Sequence, residues 1–577
     1  MRWETIAAVA ISVLLFLLWL PLFLQLKQIP GPLYGGDTYY HYGHALHIHD
    51  SGNPFTNAHY LGEYEAYPWL THMVIALLAW IAPLSFLEVF ILLAPLVFTI
   101  GGFLLLYWLC KKFMSRTLSL ACAMLWVSQG AIYVLPTWIA SFIMAPLVII
   151  LIFFAKKPVE RVIAGVVLGL ACIQHLVAFI GGLIFCTLMF VANVWANRKH
   201  AFLEVKKQAL HFLPIIGIGI AVGMLWLWAP LFVYHYHSLN PWQEYTMNGN
   251  VIVYVFGQLA NMFLNFSSIP RTILSLLALA GFALAFFKKK PFEHLVLLTG
   301  IIGVLHPIIT QPLLGTSFGY YRFPIFITLA GYLYAFHAIG CASVLIKQKN
   351  LHYYVAGGIV ILSIFLTLGS ISAFKQDKWG QVGMQYSPTD QAMATMFELI
   401  RNNTNPYDVF LTSHGETGFA LHGTTGRKIV IMRRTHASPF VDADIRMAEA
   451  AVLLYGNDSK EQQRLLDKYD VKYFFDDYYA FSSRQNCMQY WSMFAENNDA
   501  GYVCLATSPQ YEQYLRNNGI TTQPVRIRLD PANLDVPLFP MLLIQPKNIT
   551  LPLQQLQVMQ TPTGEVFMGL YEVERAQ

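Results

Sequence analysis

Acidic residues and histidines are concentrated in one polar stretch near the start of the chain, residues 34 to 72. It contains Asp37, Asp50, Glu63 and Glu65, and five histidines between residues 37 and 59. Long apolar segments lie on both sides of it, so its carboxylates are expected at a membrane surface. Carboxylates in such a place suit the acceptor side of a transfer reaction, as a base or as an anchor for positive charge.

Asp37 is the strongest of these candidates. It follows Gly35 and Gly36 and opens an amphipathic helix, where backbone amides stabilise an ionised carboxylate. Two interpretations stay open: a reactive carboxylate, or only the cap of that helix. Asp37 and His41 also stand four residues apart, which suits a divalent metal, although aromatic rings such as histidine and tyrosine are common at membrane interfaces in any case.

Further candidates lie elsewhere in the chain. Glu63 and Glu65 either supply oxygen ligands or face water. Arg322, in GTSFGYYRFPIF, stands at the mouth of an apolar segment. Its planar guanidinium suits bidentate binding of a phosphate, and the alternative is a side chain that extends to the interface. Glu244, in the loop NPWQEY, is a possible second acid.

Composition limits the class of protein. The chain has 577 residues, of which 56% are hydrophobic and 12% charged, about half the charge content of a soluble protein. This indicates a polytopic membrane protein. The net charge is only +5, and the basic residues stand in short clusters between apolar segments, so no nucleic-acid partner is expected.

The apolar segments predict about eleven transmembrane helices. They cover Thr5 to Leu26, Phe86 to Leu109, and residues 117–134, 139–155, 161–178, 180–196, 209–233, 270–287, 295–312, 322–345 and 352–373. Tyr67 to Leu84 is predicted as an interfacial or re-entrant helix. The basic clusters then fall on one side if the N-terminus is cytoplasmic. The prediction is a membrane domain over residues 1–373, with external loops 27–85 and 234–271, and an exoplasmic domain over residues 374–577.

The exoplasmic part has the composition of a soluble α/β domain. Residues 408–412, 428–432 and 471–475 are predicted as short buried strands, and residues 443–455 and 459–468 as helices. Cys487 and Cys504 lie in this part and could form one disulfide, while the other five cysteines lie in apolar segments as small buried side chains.

Two parts of the chain resemble a known family. GGDTYYHYGHALHIHDSGNPF followed by YPWLTHMVIALLAW is similar to the first external loop of oligosaccharyltransferase catalytic subunits, archaeal and eukaryotic. VFLTSHGETGFALHGTTGRKIVIMRRTH is similar to the start of their C-terminal domain. The resemblance implies a membrane glycosyltransferase of the GT-C class, which takes sugars from polyprenyl-phosphate or polyprenyl-pyrophosphate donors. Asp37 would match the first acidic motif and Arg322 the arginine that contacts the phosphate.

The chain departs from this family at two motifs. The second acidic motif would fall in LPTWIASFIMAP, residues 135 to 146, which has no carboxylate. The Trp-Trp-Asp-Tyr-Gly motif would fall near residues 413–418, where the chain has SHGETG, so His414 and Glu416 become candidates for contact with the acceptor. The expected metal is Mg²⁺ or Mn²⁺ on Asp37, with the requirement for a metal left open.

The expected function is transfer of a sugar or oligosaccharide, on the exoplasmic face, to a protein or lipid acceptor. Asp37, Glu63 and Glu65 are the expected catalytic residues, and His41, Glu244, Arg322, His414 and Glu416 the expected substrate-binding residues. The alternative is a non-catalytic paralogue that acts in binding or assembly. A transporter of lipid-linked material is a third hypothesis, against which stand the absence of internal repeats and the large one-sided domain.

Overall fold

The computed structural model consists of a helical domain followed by an α/β domain. It describes residues 3–29, 36–112, 114–128, 139–240, 251–314, 317–345, 351–376, 378–385, 388–477, 505–528, 538–545, 547–560, 564 and 566–575. The predicted architecture, a polytopic helical membrane domain with a C-terminal α/β domain, is therefore confirmed.

Helices make up most of the described residues up to residue 376. The α-helices are Trp3–Phe23, Asp37–Ser51, Leu70–Ile81, Phe86–Leu96, Phe103–Cys110, Arg116–Ser128, Ala145–Phe154, Pro158–Gln174, Leu176–Ala196, Ala201–Trp228, Val251–Phe263, Ile269–Phe287, Pro291–Leu305, Pro307–Leu314, Pro324–Leu345 and Leu351–Gln376. Segments of π-helix join or extend them at Val97–Gly102, Ala140–Met144 and Ala229–Val233. Short 3₁₀ turns are Arg198–His200 and Tyr320–Arg322.

Eight of the described helical segments are long and apolar enough to cross a membrane, where the sequence predicted about eleven. They are Glu4–Phe23, Phe86–Cys110, Leu176–Ala196, Arg198–Val233, Ile269–Phe287, Pro291–Leu313, Tyr320–Ala342 and Tyr353–Gln376. The three predicted spans over residues 117–134, 139–155 and 161–178 correspond to the shorter helices that end at Ser128, Phe154 and Gln174. Residues 129–138 lie outside the described part. The chain is an integral membrane protein.

The two segments of the membrane domain that are predicted to be external also contain helices. Leu70–Ile81 has 12 residues, about 18 Å at 1.5 Å per residue, which is shorter than the hydrocarbon core. It therefore does not span, as predicted for this segment. Within the expected loop 234–271, Val251–Phe263 is helical, because its apolar residues favour a helix, although its 13 residues are too few for a full span.

Small residues allow close packing inside the membrane domain. Helix Pro158–Gln174 lies directly against helix Ala201–Trp228. A Cβ atom added at Gly165 would stand 2.8 Å from Cβ of Ile218, and one added at Gly169 would stand 2.5 Å from Cβ of Val222. The two backbones can approach only because these positions lack side chains, which is a common way for helices to pack in lipid.

The α/β domain contains two sheets. Its strands are β1 Val409–Thr412, β2 Lys428–Ile429, β3 Val471–Asp477, β4 Leu505–Thr507, β5 Thr522–Arg528, β6 Leu538–Ile544, β7 Leu553–Gln560 and β8 Val566–Val573. The first sheet has the order β2-β1-β3-β8-β7 and the second has the order β4-β6-β5. Strand β1 pairs in parallel with β2 and β3, whereas β8 is antiparallel to β3 and β7.

Helices of this domain contact both sheets and one another. They are Lys378–Met384, Pro388–Asn403, Gly415–Thr425, Ala443–Tyr455, Ser459–Tyr469 and Glu512–Asn517, with 3₁₀ turns at Arg434–His436 and Pro509–Tyr511. The predicted strands near residues 408, 428 and 471 and the two predicted helices are all present. Cys487 and Cys504 lie outside the described residues.

The helix Asp37–Ser51, called the Asp37 helix below, connects the two domains. One face packs on helix Gly415–Thr425 of the α/β domain. A Cβ added at Gly43 would stand 2.6 Å from the carbonyl oxygen of His422, and the rings of Tyr39 and Phe419 are 6.0 Å apart. The polar stretch singled out by the sequence is therefore held between the membrane domain and the α/β domain.

Candidate active site at the start of the Asp37 helix

Asp37 is the first residue of its helix and is not the cap. The N-cap is Gly36, which provides no side-chain hydrogen bond. The Asp37 side chain is 63% exposed, so a ligand can reach the carboxylate. A hydrogen bond from His436 is the main cause that lowers the pKa of Asp37; burial opposes it, and the charges of His436, His41 and Arg322 add to it. Asp37 is therefore an accessible, ionised carboxylate.

His436 is the residue of this site that sequence analysis missed. Its Nε2 lies 3.1 Å from Oδ1 of Asp37. Since an ionised carboxylate only accepts hydrogen bonds, Nε2 carries the proton and donates. Nδ1 lies 3.1 Å from Oγ1 of Thr435. The ring packs between Phe419, at 4.8 Å, and Tyr40, at 5.8 Å between ring centroids.

Two arginines fix the segment that carries His436. Arg433 Nε lies 2.8 and 2.9 Å from the two carboxylate oxygens of Glu416, and its guanidinium lies over the ring of Phe419. Arg434 Nε donates to Asp444 at 2.7 Å. Both ion pairs are well shielded from water. His436 is thus held by side chains of the α/β domain itself.

Glu416 and His414 have structural partners in this arrangement. Glu416 is 3% exposed and binds Arg433. His414 is 3% exposed, and its Nδ1 accepts a hydrogen bond from the Glu416 backbone N–H, which caps helix Gly415–Thr425. Contact of these two side chains with an acceptor stays a prediction, and it would require them to leave a buried position.

Arg322 stands at the start of the span Tyr320–Ala342. Its guanidinium lies 5.0 Å from the ring centroid of Tyr321, and its Nε donates to the Tyr321 hydroxyl at 3.2 Å. Among the described residues, no carboxylate lies within ion-pair distance of it. Its positive charge contributes to the low pKa of Asp37, so Arg322 helps to keep that carboxylate ionised.

Behind Asp37, histidines pack in a buried row. His41 Nδ1 lies 3.0 Å from Nε2 of His72, and the rings of His72 and His44 stack at 4.3 Å. His44 Nε2 lies 3.2 Å from Glu65. Burial lowers the pKa of His41 well below its usual value. His41 is 4% exposed, so its expected contact with substrate stays a prediction.

The two other acids of the polar stretch also have protein partners. Glu65 is buried and accepts hydrogen bonds from the backbone N–H groups of Ala58 and Tyr67 at 3.0 and 2.6 Å. Glu63 accepts a hydrogen bond from the Tyr234 hydroxyl at 2.9 Å. These contacts explain both acids as supports of the loop that leads to helix Leu70–Ile81, and a catalytic role for either stays a prediction. Glu244 lies outside the described residues.

The described residues do not provide a suitable metal site. They contain no group of three or more His, Cys, Asp or Glu side chains that could hold an ion. His41, the partner expected to share a metal with Asp37, is directed to His72. Mg²⁺ and Mn²⁺ prefer several oxygen ligands, whereas Asp37 supplies one exposed carboxylate. The described ligand set therefore does not fit the expected metal.

No family model matches the chain. A segment of 43 residues is 42% identical to an uncharacterized protein of Methanocaldococcus jannaschii, MJ1080. This match covers 8% of the chain and 32% of the other protein, so it spans about a third of that protein's length.

Solved structures of two proteins are similar to most of the chain. The oligosaccharyltransferase of Archaeoglobus fulgidus, in a complex with zinc and sulfate, is 16% identical with a TM-score of 0.46, over 88% of this chain and 72% of that chain. The same archaeal enzyme, AglB, has been solved with an inhibitory peptide and a dolichol-phosphate, at 14% identity and a TM-score of 0.46, over 83% and 70% of the two chains. ArnT from Cupriavidus metallidurans in the apo state is 11% identical with a TM-score of 0.49, over 94% and 99%.

One of these proteins is an oligosaccharyltransferase, the family that two parts of the sequence resemble. The TM-scores are below 0.5, which is too low to support a conclusion about this chain. Any conclusion about activity depends on the site itself.

Proposed function

We propose that this protein is a membrane glycosyltransferase that moves a sugar or oligosaccharide from a polyprenyl-phosphate or polyprenyl-pyrophosphate donor to a protein or lipid acceptor. The observation that carries the proposal is an exposed, ionised carboxylate, Asp37, whose pKa is lowered in part by the charge of the Arg322 guanidinium at the mouth of a span. The carboxylate suits binding of an acceptor, and the guanidinium suits binding of a phosphate.

The proposed step is a displacement at the anomeric carbon of the donor sugar. The acceptor oxygen or nitrogen forms the new bond to this carbon, and the bond to the phosphate oxygen breaks with its electron pair. Arg322 stabilises the negative charge that develops on the departing phosphate. The lipid phosphate leaves with that charge and remains in the membrane.

Asp37 orients the acceptor in this proposal. Because its pKa is lowered, it is a weak base. Its carboxylate accepts a hydrogen bond from the acceptor N–H or O–H and places a negative charge beside the sugar. The proton that the acceptor loses passes to the water that reaches this exposed side chain. Glu63 and Glu65 act by holding the adjacent loop.

The proposed orientation has the N-terminus in the cytoplasm and the α/β domain on the exoplasmic side. The lysine and arginine clusters between the spans support it through the positive-inside rule. The Asp37 helix and the α/β domain are in direct contact, so they lie on the same side of the membrane. The reaction would take place there.

The test measures transfer of labelled sugar from a polyprenyl-linked donor to acceptors by the purified protein. We expect Asp37→Asn and Arg322→Gln each to lower transfer about 100-fold or more, the usual cost of removing a group that stabilises charge in a transition state. Asp467→Asn and Arg516→Gln, which alter exposed residues of the α/β domain, are the matched controls and should keep wild-type activity.

Three results are decisive. Equal activity of wild type, Asp37→Asn and Arg322→Gln would refute the site. A wild-type protein that binds the donor and transfers nothing to any acceptor would favour the alternative, a non-catalytic paralogue with a role in binding or assembly. A wild-type protein that neither binds nor transfers would refute the proposed donor class.

A further inference from the structure

We propose that His436 is the positioning residue of Asp37 and occupies the role that a divalent metal would otherwise have at this carboxylate. The inference rests on the proposed transfer reaction and extends it. It makes the α/β domain part of the active site, through a segment that sequence analysis did not single out. Transfer would then proceed without an added metal.

The geometry of the Asp37 and His436 pair supports this assignment. The hydrogen bond of 3.1 Å fixes one carboxylate oxygen and leaves the other, on a side chain that is 63% exposed, free for an acceptor. His436 itself is only 15% exposed, and its ring is packed between two aromatic rings. A mobile surface histidine would not constrain the carboxylate in this way.

The segment around His436 is built to keep the ring in place. Arg433 and Arg434 are anchored by their ion pairs to Glu416 and Asp444. Gly36 lies directly beneath them: an added Cβ would stand 2.5 Å from Nη1 of Arg433 and 2.5 Å from Cε1 of His436. The absence of a side chain at Gly36 therefore allows the histidine to reach the start of the Asp37 helix.

The described part of the chain also offers Asp37 few alternative partners. The segment expected to hold a second acidic motif, residues 135–146, has no carboxylate or histidine in its sequence. The described residues contain no group of three metal ligands. A hydrogen bond from a fixed histidine gives the carboxylate a defined orientation with the groups that are present, as outer-shell partners do for ligands in metal sites.

The experiment compares wild type with His436→Ala and His436→Gln in the transfer assay, with and without EDTA. We expect His436→Ala to lower kcat 10- to 100-fold while the KM for the donor stays within about twofold, because Arg322 is unchanged. His436→Gln can still donate a hydrogen bond to Asp37 and should recover most of the rate. EDTA should leave the wild type active. His200→Ala, at an exposed turn, is the control.

A second measurement does not depend on activity. Hydrogen–deuterium exchange of the first turn of the Asp37 helix should rise in His436→Ala and stay near wild type in His436→Gln. Gly36→Ala disturbs the same contact from the opposite side and should resemble His436→Ala. These variants also show whether a loss of rate comes from a loss of the whole fold.

The outcomes separate this inference from the proposed function. An active wild type with an equally active His436→Ala overturns the inference and leaves the proposed function standing. Loss of activity in EDTA with recovery in Mn²⁺ also overturns it, because a metal would then be the partner of Asp37. If the wild type transfers nothing, the proposed function fails, and unchanged exchange in His436→Ala would still refute the positioning role.

Discussion

Lys428 allows the strongest quantitative prediction. It opens strand β2 and is 1% exposed. Its Nζ donates to the backbone carbonyl of Asn57 and lies 3.2 Å from Nε2 of His47. His47 Nδ1 lies 2.8 Å from the carbonyl oxygen of Gly426 and must donate to it, which leaves Nε2 to accept from Lys428. A neutral amine satisfies both contacts.

Burial lowers the pKa of Lys428 from 10.5 to about 7, with the charge of Glu65 opposing it. Between these values the unfolded chain binds a proton that the folded chain does not, so stability rises with pH, by about 1.4 kcal/mol per pH unit. Well below pH 7 both states are protonated and the full cost, about 5 kcal/mol, is present. At pH 7 half of the folded protein is already neutral at Lys428, so the gain from pH 7 to pH 9 is about 2.3 kcal/mol.

Lys428→Met removes this dependence. We expect the difference in melting temperature between Lys428→Met and wild type to fall by roughly 5 to 9 °C from pH 7 to pH 9, using about 2–4 °C per kcal/mol for a domain of this size. The assay is tryptophan fluorescence of the purified protein in detergent at a fixed scan rate. The effects of groups that titrate in both proteins cancel in this difference in melting temperature. The hydrogen bonds lost with the lysine change the difference by the same amount at every pH.

The control is Lys460→Met, which removes an exposed lysine of the same domain and shows the effect of losing a surface lysine. Melting curves of Lys428→Met and wild type that move in parallel with pH would refute the argument. In that case the folded protein would hold Lys428 as a cation throughout the range.

Two further predictions concern the contact between the Asp37 helix and the α/β domain. Asp50 binds Arg427 and Arg401 at 2.9 and 2.8 Å, and Arg427 is 2% exposed. Asp50→Asn removes the carboxylate that both arginines share. It should lower the free energy of unfolding by about 3 kcal/mol, seen as faster proteolysis. Gly43→Ala places a methyl group 2.6 Å from the carbonyl oxygen of His422, and should lower the melting temperature by an amount equivalent to about 1–3 kcal/mol.

Each of these has a matched control. Asp467→Asn removes an exposed carboxylate and should be proteolysed at the wild-type rate. Gly217→Ala adds a methyl group where no atom lies within 4 Å and should not lower the melting temperature. Two results would contradict this reasoning: Asp50→Asn as resistant to proteolysis as wild type, or Gly43→Ala with the melting temperature of wild type. In either case the Asp37 helix does not depend on this contact.

The candidate site was only partly predictable. Asp37 and Arg322 were recognisable because charged residues beside apolar segments are costly and therefore informative. His436 was not, because its contact with Asp37 joins residues 399 positions apart, and no local pattern distinguishes it from other histidines. Glu65 and Glu416 were chosen for their charge, and only the fold shows that both are buried with protein partners.

The sequence by itself determined the elements with a strong period or composition. Helix Ala443–Tyr455 and strands β1 and β3 lie where the pattern predicted them, because hydrophobic periodicity is a local property of the chain. The tertiary structure decided which elements meet. It placed the Asp37 helix on the α/β domain and brought His436 to Asp37 and Lys428 to Asn57. Such contacts depend on the packing of whole domains, which no local stretch of residues specifies.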